Sequence, residues 1–292
     1  MKYNIVMFAY NEQNNIAKSI TSVFENTDDN LARFYLLANG CSDDTVKVAE
    51  QTKRNLGFEK LHVNEISLGD KCNAWNTYVH ELSDLSDNTG THFFIDADVR
   101  FSANCFAKMH QKLSESPSNT VVVAGVPLSG RNVEFYRSLV FENALFFGNL
   151  YGMRHSFIQD IKAKRFRLPI GLNWIDSYLT KSVNTELRFD KNKIANRTTW
   201  VEECGYLFDS LSIFKVDDIK LYVSRIARYE LGKMQEVILD DTPVEQWPED
   251  MHDINLTLSK EFDMRAKHLG LIKKYMVKRR LERLIAKRKV KT

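Results

Sequence analysis

The sequence of 292 residues is long enough for one large domain or two closely packed ones, because a single hydrophobic core usually stops growing near this length. With 43% hydrophobic and 27% charged residues, its composition excludes an intrinsically disordered chain and a coiled coil. The four cysteines are scattered and form no short-spaced pair typical of a zinc or redox site, which favours a reducing compartment. The first residues leave too little room for the basic region and apolar core of a signal peptide, and no apolar run reaches about 18 residues, so we expect a cytoplasmic protein without either element.

Charge is divided unevenly along the chain. Residues 264–292 contain 12 Lys or Arg and one acidic residue, Glu282, whereas the rest of the chain contains 29 basic and 37 acidic residues. Apolar residues are interspersed with the basic ones over 262–292, which predicts a basic amphipathic helix. Such a helix binds an anionic membrane surface peripherally, or packs on the rest of the protein or on a second subunit, and both alternatives remain open.

Strand-like and helix-like segments alternate over the first 130 residues. Short apolar runs rich in strand formers predict strands at 3–9, 34–38, 61–66, 92–95 and 120–126. Helical spacing of apolar residues predicts helices at 13–26, 43–56, 70–82 and 103–114, the second with Ser42 as its N-cap. This alternation predicts an α/β fold that is Rossmann-like, with a mostly parallel central sheet flanked by helices. Ligands of such sheets bind beyond the carboxyl ends of the strands.

The pattern changes after residue 130. The segment 134–151 is aromatic and amphipathic, and is either core, a subunit interface or a binding groove. A helix is predicted at 222–238, followed by an acidic linker with two prolines and the basic helical tail. We therefore divide the chain into 1–130, 131–238 and 239–292.

Asp96 and Asp98 follow the fourth predicted strand with one small residue between them. Alternation along an extended segment points both side chains to the same side. Two carboxylates so placed provide hard oxygen ligands for a divalent cation, which in turn bridges a diphosphate. The alternative is that they are ordinary loop carboxylates or helix caps.

Polar or glycine-bearing segments follow each of the first four predicted strands. In chain order they are Ala9-Tyr10-Asn11-Glu12, Asn39-Gly40-Cys41-Ser42-Asp43-Asp44-Thr45, Gly69-x-Lys71-x-x-Ala74-x-Asn76 and Asp96-Ala97-Asp98. This ordered set resembles the signatures of the inverting GT-A glycosyltransferases of family 2, which include cellulose-synthase-like and hyaluronan-synthase-like catalytic domains. The resemblance implies a GT-A fold with a C-terminal helical basic extension. Residues 1–130 would bind a nucleotide sugar and 131–238 an acceptor, with 239–292 as linker and tail.

The resemblance continues downstream. The family carries a Glu-Asp pair at the start of a helix, and Asp176 matches its Asp while the Glu is missing. Cellulose-synthase-like members also carry Gln-x-x-Arg-Trp followed closely by Gly, and here Arg228 and Gly232 match while Arg225 and Tyr229 replace Gln and Trp. The two replacements put processive polymerisation in doubt.

The matched positions imply a role for each residue. Asp98 would coordinate Mn²⁺ or Mg²⁺ directly, with Asp96 reaching the ribose or a metal-bound water. Asp176 would be the catalytic base, and Trp174 and Tyr229 would contact the acceptor. The donor contacts implied by the resemblance are Ala9, Tyr10, Glu12, Asn39, Lys71, Asp96 and Arg228.

The resulting hypothesis is an inverting, metal-dependent glycosyltransferase. It would use a nucleotide diphosphate sugar, with UDP-sugars favoured, and a glycan or lipid-linked acceptor in the biosynthesis of a surface glycan. A homo-oligomer is compatible with the aromatic segment and the tail, and no nucleic acid partner is expected.

One alternative is a haloacid-dehalogenase-like phosphatase, since Phe94 to Val99 fits that family's Asp-x-Asp opening, although the motif then comes unusually late in the chain. A further alternative is a non-catalytic domain that binds a membrane or nucleic acid through its tail.

Overall fold

The computed structural model describes residues 1–84, 89–190, 192–208 and 216–289. Within them the strands form one eight-stranded sheet. The strands are β1 (Lys2–Ala9), β2 (Leu31–Asn39), β3 (Leu61–Ile66), β4 (Thr89–Asp96), β5 (Val99–Phe101), β6 (Val122–Pro127), β7 (Leu150–Arg154) and β8 (Thr198–Phe208). Their order is β3-β2-β1-β4-β7-β6-β8-β5. Strands β1 to β4 pair in parallel, as do β6 and β8, whereas β7 is antiparallel to both of its neighbours and β5 is antiparallel to β8.

Helices cover the sheet on both faces. Over the described residues they are α1 (Ile16–Asn26), α2 (Thr45–Leu56), α3 (Lys71–Thr77), α4 (Cys105–Glu115), α5 (Val133–Asn143), α6 (His155–Ala163), α7 (Ile175–Asn184), α8 (Val216–Asp240), α9 (His252–Lys260), α10 (Phe262–Arg265) and α11 (Leu271–Lys289). Helix α3 runs on into a π-helical turn at Tyr78–Leu82, and a 3₁₀ turn occupies Val244–Gln246. The predicted α/β architecture is confirmed.

Most differences from the predicted elements have local causes. Helix α2 begins at Thr45, and the carboxylate of Asp43 accepts hydrogen bonds from the backbone N–H and hydroxyl of Thr45. The predicted N-cap role of Ser42 is therefore wrong, and its N–H instead donates to Oδ1 of Asn11. Strands β5 and β7 were not predicted, because the first has three residues and the second begins within the last two residues of the aromatic segment.

The core lies on both faces of the sheet. Alternate residues of β1 face opposite sides, with Val6 and Phe8 in one hydrophobic cluster and Ile5 and Met7 in the other. A strand buried on both faces needs an almost continuous apolar run, which explains the sequence of β1. The cluster around Phe8 continues through the second half of the chain to α11.

The basic tail packs on the rest of the protein. Val277 and Leu281 of α11 are buried in the core cluster, and the helix contacts α8 and α9. Near its N-terminal end, Leu271 and Ile272 are 87% and 76% exposed. The packing alternative is thus confirmed, while membrane binding stays a prediction. No helix in the described ranges combines the length and apolar character needed to cross a bilayer.

Candidate active site

The predicted site residues gather at one edge of the sheet because the parallel strands β1, β2 and β4 end there together. Phe8 pairs with Asp96 across β1 and β4, and Ala9 pairs with Ala38 across β1 and β2. The segments that follow these strands therefore meet beyond their carboxyl ends, as expected for ligand sites of parallel sheets.

Two glycines bring the loops after β2 and β3 into contact. Gly40 has φ of +70°, and a Cβ on it would lie 2.5 Å from Cα of Gly69. Tyr10 packs over Gly69, and 54% of its surface is exposed. It lies at the rim of the space beyond the carboxyl ends of β1, β2 and β4, which we call the cleft. Both Ala9 and Asn39 are buried beneath it, and Nδ2 of Asn39 donates to the carbonyl of Ala9 at 2.8 Å. The amide of Asn39 thus ties β1 to β2.

Three carboxylates lie close together at the ends of β1 and β4. The side chains of Asp96 and Asp98 are about one-third exposed. Burial raises the pKa of Asp98, and the neighbouring charge of Asp96 raises it further. Burial likewise raises the pKa of Glu12 to about 7, with Asp98 and Asp96 contributing in the same direction. Crowded acidic groups of this kind are stabilised by a cation.

These carboxylates fit a divalent metal ion bound through a small number of protein ligands. Over the described residues, no group of three or more His, Cys, Asp or Glu side chains forms a complete metal cage. Asp98 and Asp96 offer hard oxygen ligands on one short segment, which suits Mn²⁺ or Mg²⁺ with its other positions taken by water and phosphate oxygens. Arg225 of α8 lies 3.8 Å from Asp98, so this carboxylate already has a cationic neighbour.

Lys71 lies between Asp96 and the start of α7. Asp70 caps α3 by accepting a hydrogen bond from the N–H of Asn73, which fixes the start of the helix that carries Lys71. The ammonium of Lys71 donates to Oδ1 of Asp96 at 2.5 Å. Burial alone would lower the pKa of Lys71, but the charges of Asp96 and Asp176 raise it, so the side chain is a cation.

Asp176 lies in the first turn of α7, opposite Asp96 and next to Lys71. A Cβ on Gly148 would lie 2.8 Å from Nζ of Lys71 and 2.9 Å from Oδ1 of Asp176, so a larger residue there would displace the ends of these two side chains. The N–H of Gly148 also donates to the carboxylate of Asp176. Burial raises the pKa of Asp176, Lys71 lowers it, and Asp96 raises it. Sequence reasoning missed Gly148, because nothing marks a glycine within an aromatic segment as a neighbour of residues far away in the chain.

Helix α8 closes the other side of the cleft. A Cβ on Gly232 would lie 2.6 Å from Cβ of Trp174, so this glycine allows the helix to approach the loop before α7. The rings of Trp174 and Tyr229 are 5.5 Å apart between centroids. Arg228, one turn before Gly232, is exposed and lies near enough to Lys71 and Asp176 to affect the pKa of each. The structure therefore brings the downstream predicted residues to the same cleft as Asp96 and Asp98.

Comparison with known protein families identifies the fold. The family model described as "Glycosyl transferase family 2" matches residues 4–168, which is more than half of the chain. The chain belongs to this family. A comparison with curated protein sequences finds no match. Membership favours the glycosyltransferase hypothesis over the phosphatase and the non-catalytic alternatives.

Solved structures of other glycosyltransferases share the GT-A fold of this family 2 protein. The mannosyltransferase PcManGT from Pyrobaculum calidifontis, in complex with GDP-Man and Mn²⁺, has a TM-score of 0.60 at 14% identity over 92% of this chain and 76% of that one. TarS from S. aureus, in complex with UDP-GlcNAc, has a TM-score of 0.58 at 14% identity over 95% and 78%. Glucosyl-3-phosphoglycerate synthase from Mycobacterium tuberculosis, in complex with Mn²⁺, UDP and phosphoglyceric acid, has a TM-score of 0.51 at 15% identity over 78% and 77%.

The family match ends at residue 168, before Trp174, Asp176, Arg228 and Tyr229. Their place in the cleft of this family 2 glycosyltransferase rests on the geometry described above.

Proposed function

We propose that this family 2 glycosyltransferase transfers a sugar from a nucleotide diphosphate sugar to a hydroxyl acceptor with inversion at the anomeric carbon. One observation carries the proposal: a single ammonium, Lys71, contacts Asp96 and lies beside Asp176. A metal-binding carboxylate and a candidate base thus face the same small space. Residues 1–130 then form the donor half, residues 131–238 the acceptor half, and residues 239–292 the linker and tail.

In the proposed donor site, Asp98 and Asp96 would hold Mn²⁺ or Mg²⁺, and the bound cation would neutralise charge on the diphosphate leaving group. Ala9, Tyr10, Glu12 and Asn39 border the space for base and ribose. We favour a UDP-sugar, since the similar structures include complexes with UDP and UDP-GlcNAc, although one contains GDP-Man.

The proposed reaction is one in-line displacement. The acceptor oxygen forms a bond to the anomeric carbon while the bond from that carbon to the diphosphate oxygen breaks, and Asp176 takes the hydroxyl proton. Attack from the face opposite the leaving group inverts the configuration. Lys71 and Arg228 offset negative charge near the departing diphosphate. A general base of this kind contributes about 10²–10⁴-fold to the rate.

Trp174 and Tyr229 form the proposed acceptor platform. Their neighbouring rings are amphipathic surfaces of the kind that stack on sugars, and both lie on the Asp176 side of the cleft. We propose that the acceptor is a glycan or lipid-linked oligosaccharide of a surface polysaccharide pathway in the cytoplasm.

We also propose that α11 attaches the protein peripherally to an anionic membrane. Leu271 and Ile272 are exposed, and aliphatic residues near basic ones suit a charged lipid surface. Lys273 and Lys274 pair with Glu230 and Asp263, so the basic residues that we expect to face the lipid are Lys278 and Arg279, which are exposed two turns further along α11. Flotation with vesicles of phosphatidylglycerol and phosphatidylcholine tests this. Wild-type protein should float at low salt, and L271S/I272S should not; equal flotation of both would contradict the assignment.

A panel of UDP- and GDP-sugars tests the enzymatic proposal. Release of the nucleoside diphosphate should require Mn²⁺ or Mg²⁺ and stop when EDTA is added. With an α-linked donor, NMR should show that the product formed first is the β anomer. If no nucleotide sugar binds or turns over with either metal, the proposal fails. Hydrolysis of a phosphate monoester that Asp96→Asn abolishes would favour the phosphatase alternative instead.

A further inference from the structure

The loop that precedes α7 is fastened from two sides. On the donor side, the N–H of Gly171 donates to Oδ2 of Asp70 at 3.0 Å, and Asp70 is the residue before Lys71. On the other side, the N–H and the Nδ2 of Asn173 each donate to Oε1 of Gln235 at 3.0 Å. Asp176 follows Asn173 by three residues, so both anchors determine where its helix begins.

The C-terminal helix supplies a further anchor on the same loop. Nε of Arg280, in α11, donates to Oδ1 of Asn173 at 2.8 Å. Nδ2 of Asn173 donates to Gln235 and to the carbonyl of Gly171, so hydrogen bonds hold both ends of the amide. Gln235 is fully buried, and its Nε2 donates to Asn255 at 2.9 Å. The network joins α8, α9 and α11 to the loop.

Arg280 is not placed there as half of an ion pair. Burial lowers the pKa of Arg280 to about 10, and the charges of Arg228 and Arg283 lower it further. Among the described residues no carboxylate forms an ion pair with it, and the side chain is half-buried. A guanidinium in such surroundings costs free energy unless it is well bonded, so its charge-assisted bond to Asn173 determines its orientation.

The loop and the first turn of α7 carry two residues of the cleft. Trp174 packs against Gly232 and lies beside the ring of Tyr229, and Asp176 lies beside Gly148 and within the electrostatic influence of Lys71. A rotation of the Asn173 amide would move the backbone that leads directly into both. Arg280, which bonds to this amide, lies more than 100 residues beyond the end of the family match.

We infer that Arg280 is a positioning residue of the acceptor side of the site, which holds Trp174 and Asp176 in place through Asn173. The basic C-terminal helix is then part of the scaffold of the cleft as well as a surface element. The expected effect of Arg280 on turnover rests on the proposed function, whereas its effect on the stability of the loop does not.

Hydrogen exchange of the full-length protein tests the structural consequence. In Arg280→Met the backbone amides of 172–176 should exchange roughly tenfold faster, since the loop loses a charge-assisted hydrogen bond. Arg280→Lys, which keeps a donor and the charge, should restore most of the protection. The matched control is Arg279→Met, because Arg279 is exposed on the same helix and bonds only to Tyr275 among the described residues. Unchanged exchange in Arg280→Met, or equal acceleration in Arg279→Met, overturns the inference.

Steady-state kinetics separate positioning from general loss of structure. With a UDP-sugar that the wild type hydrolyses, Arg280→Met should lower kcat about tenfold while the KM for the donor and the affinity for UDP with Mn²⁺ stay unchanged. Arg280→Lys should recover kcat. Weaker UDP binding at an unchanged kcat would overturn the positioning role. If the wild type turns over no nucleotide sugar, the proposed function fails, and the exchange experiment still decides the inference.

Discussion

The ammonium of Lys71 lies 2.5 Å from Oδ1 of Asp96, so the segments that follow β3 and β4 meet. Lys71 follows β3 and Asp96 ends β4, while Asp176, in the first turn of α7, is near enough for its charge to raise the pKa of Lys71. The cation thus reduces the repulsion between two partly buried carboxylates that the proposed reaction needs in the ionised state.

Lys71→Met should lower donor turnover by roughly 100-fold, because the remaining carboxylates repel each other and favour protonation of Asp176. Lys71→Arg should keep a part of the activity. Initial rates of nucleotide release measure the effect, with the exposed Lys112→Met as the matched control. Wild-type rates in Lys71→Met would show that this contact is incidental.

Asp98→Asn should abolish the Mn²⁺-dependent component of UDP binding. A neutral amide is a weaker ligand for a hard cation than a carboxylate, and we expect a loss of more than roughly tenfold in affinity. Calorimetric titration of the protein with UDP, in the presence of Mn²⁺ or of EDTA, measures this affinity. Asp160→Asn serves as the control, because Asp160 is exposed. If Asp98→Asn binds UDP with Mn²⁺ as tightly as the wild type, Asp98 is not a metal ligand.

Asp176→Asn should separate binding from chemistry. The amide cannot accept the hydroxyl proton, so turnover should fall by about 10²–10⁴-fold. Binding of UDP with Mn²⁺ should persist, because Asp96 and Asp98 are unchanged. Single-turnover rates of sugar transfer and calorimetric affinities for UDP with Mn²⁺ measure the two effects separately. Sugar transfer at the normal rate in Asp176→Asn would contradict its assignment as the base.

Much of the donor half could be predicted because its signals are local. Strand β3 was predicted with its observed ends, and the segments after β1, β2 and β4 meet because parallel strands end at one edge of the sheet. The acceptor half depends on contacts between distant segments. Gly148 lies against both Lys71 and Asp176, and Arg280 bonds to Asn173, yet neither of these contacts has a periodic pattern that a single sequence displays.

Short elements were missed for a related reason. Strand β7 has five residues, of which the first two end the aromatic segment, and its antiparallel pairing with β4 and β6 is decided by the sheet rather than by its own composition. The amphipathic pattern of the tail predicted a helix, but only tertiary contacts show that Val277 and Leu281 face the core while Leu271 and Ile272 face outwards.

Gly232→Ala should disturb the acceptor side through a steric clash. The new Cβ would lie 2.6 Å from Cβ of Trp174, so α8 or the loop must move, at a cost of about 1–3 kcal/mol in the free energy of unfolding. Denaturant unfolding measures this cost, and fluorescence should report a changed environment of Trp174. In the control Gly270→Ala, the added methyl group meets no atom within 4 Å, and the free energy of unfolding should stay close to that of the wild type. Equal stability of the two variants would contradict the close packing.

Glu12 should make the metal-free protein less stable as the pH rises. Its pKa in the folded state is about 7, above the ordinary value of 4.5, chiefly because of burial and also because of Asp98 and Asp96. The folded state therefore binds this proton more tightly than the unfolded state, and the stabilisation present below pH 4.5 is lost as the pH rises through 7. Glu12→Gln does not titrate, so its advantage over the wild type should grow between these pH values. After allowance for solvent screening we expect about 1–2 kcal/mol at pH 8 relative to pH 4.5. Urea unfolding in EDTA at both pH values measures the difference, with the exposed Glu115→Gln as the control. A constant difference between Glu12→Gln and the wild type would mean that the pKa of Glu12 is the same in the folded and unfolded states, so that neither burial nor the charges of Asp98 and Asp96 raise it.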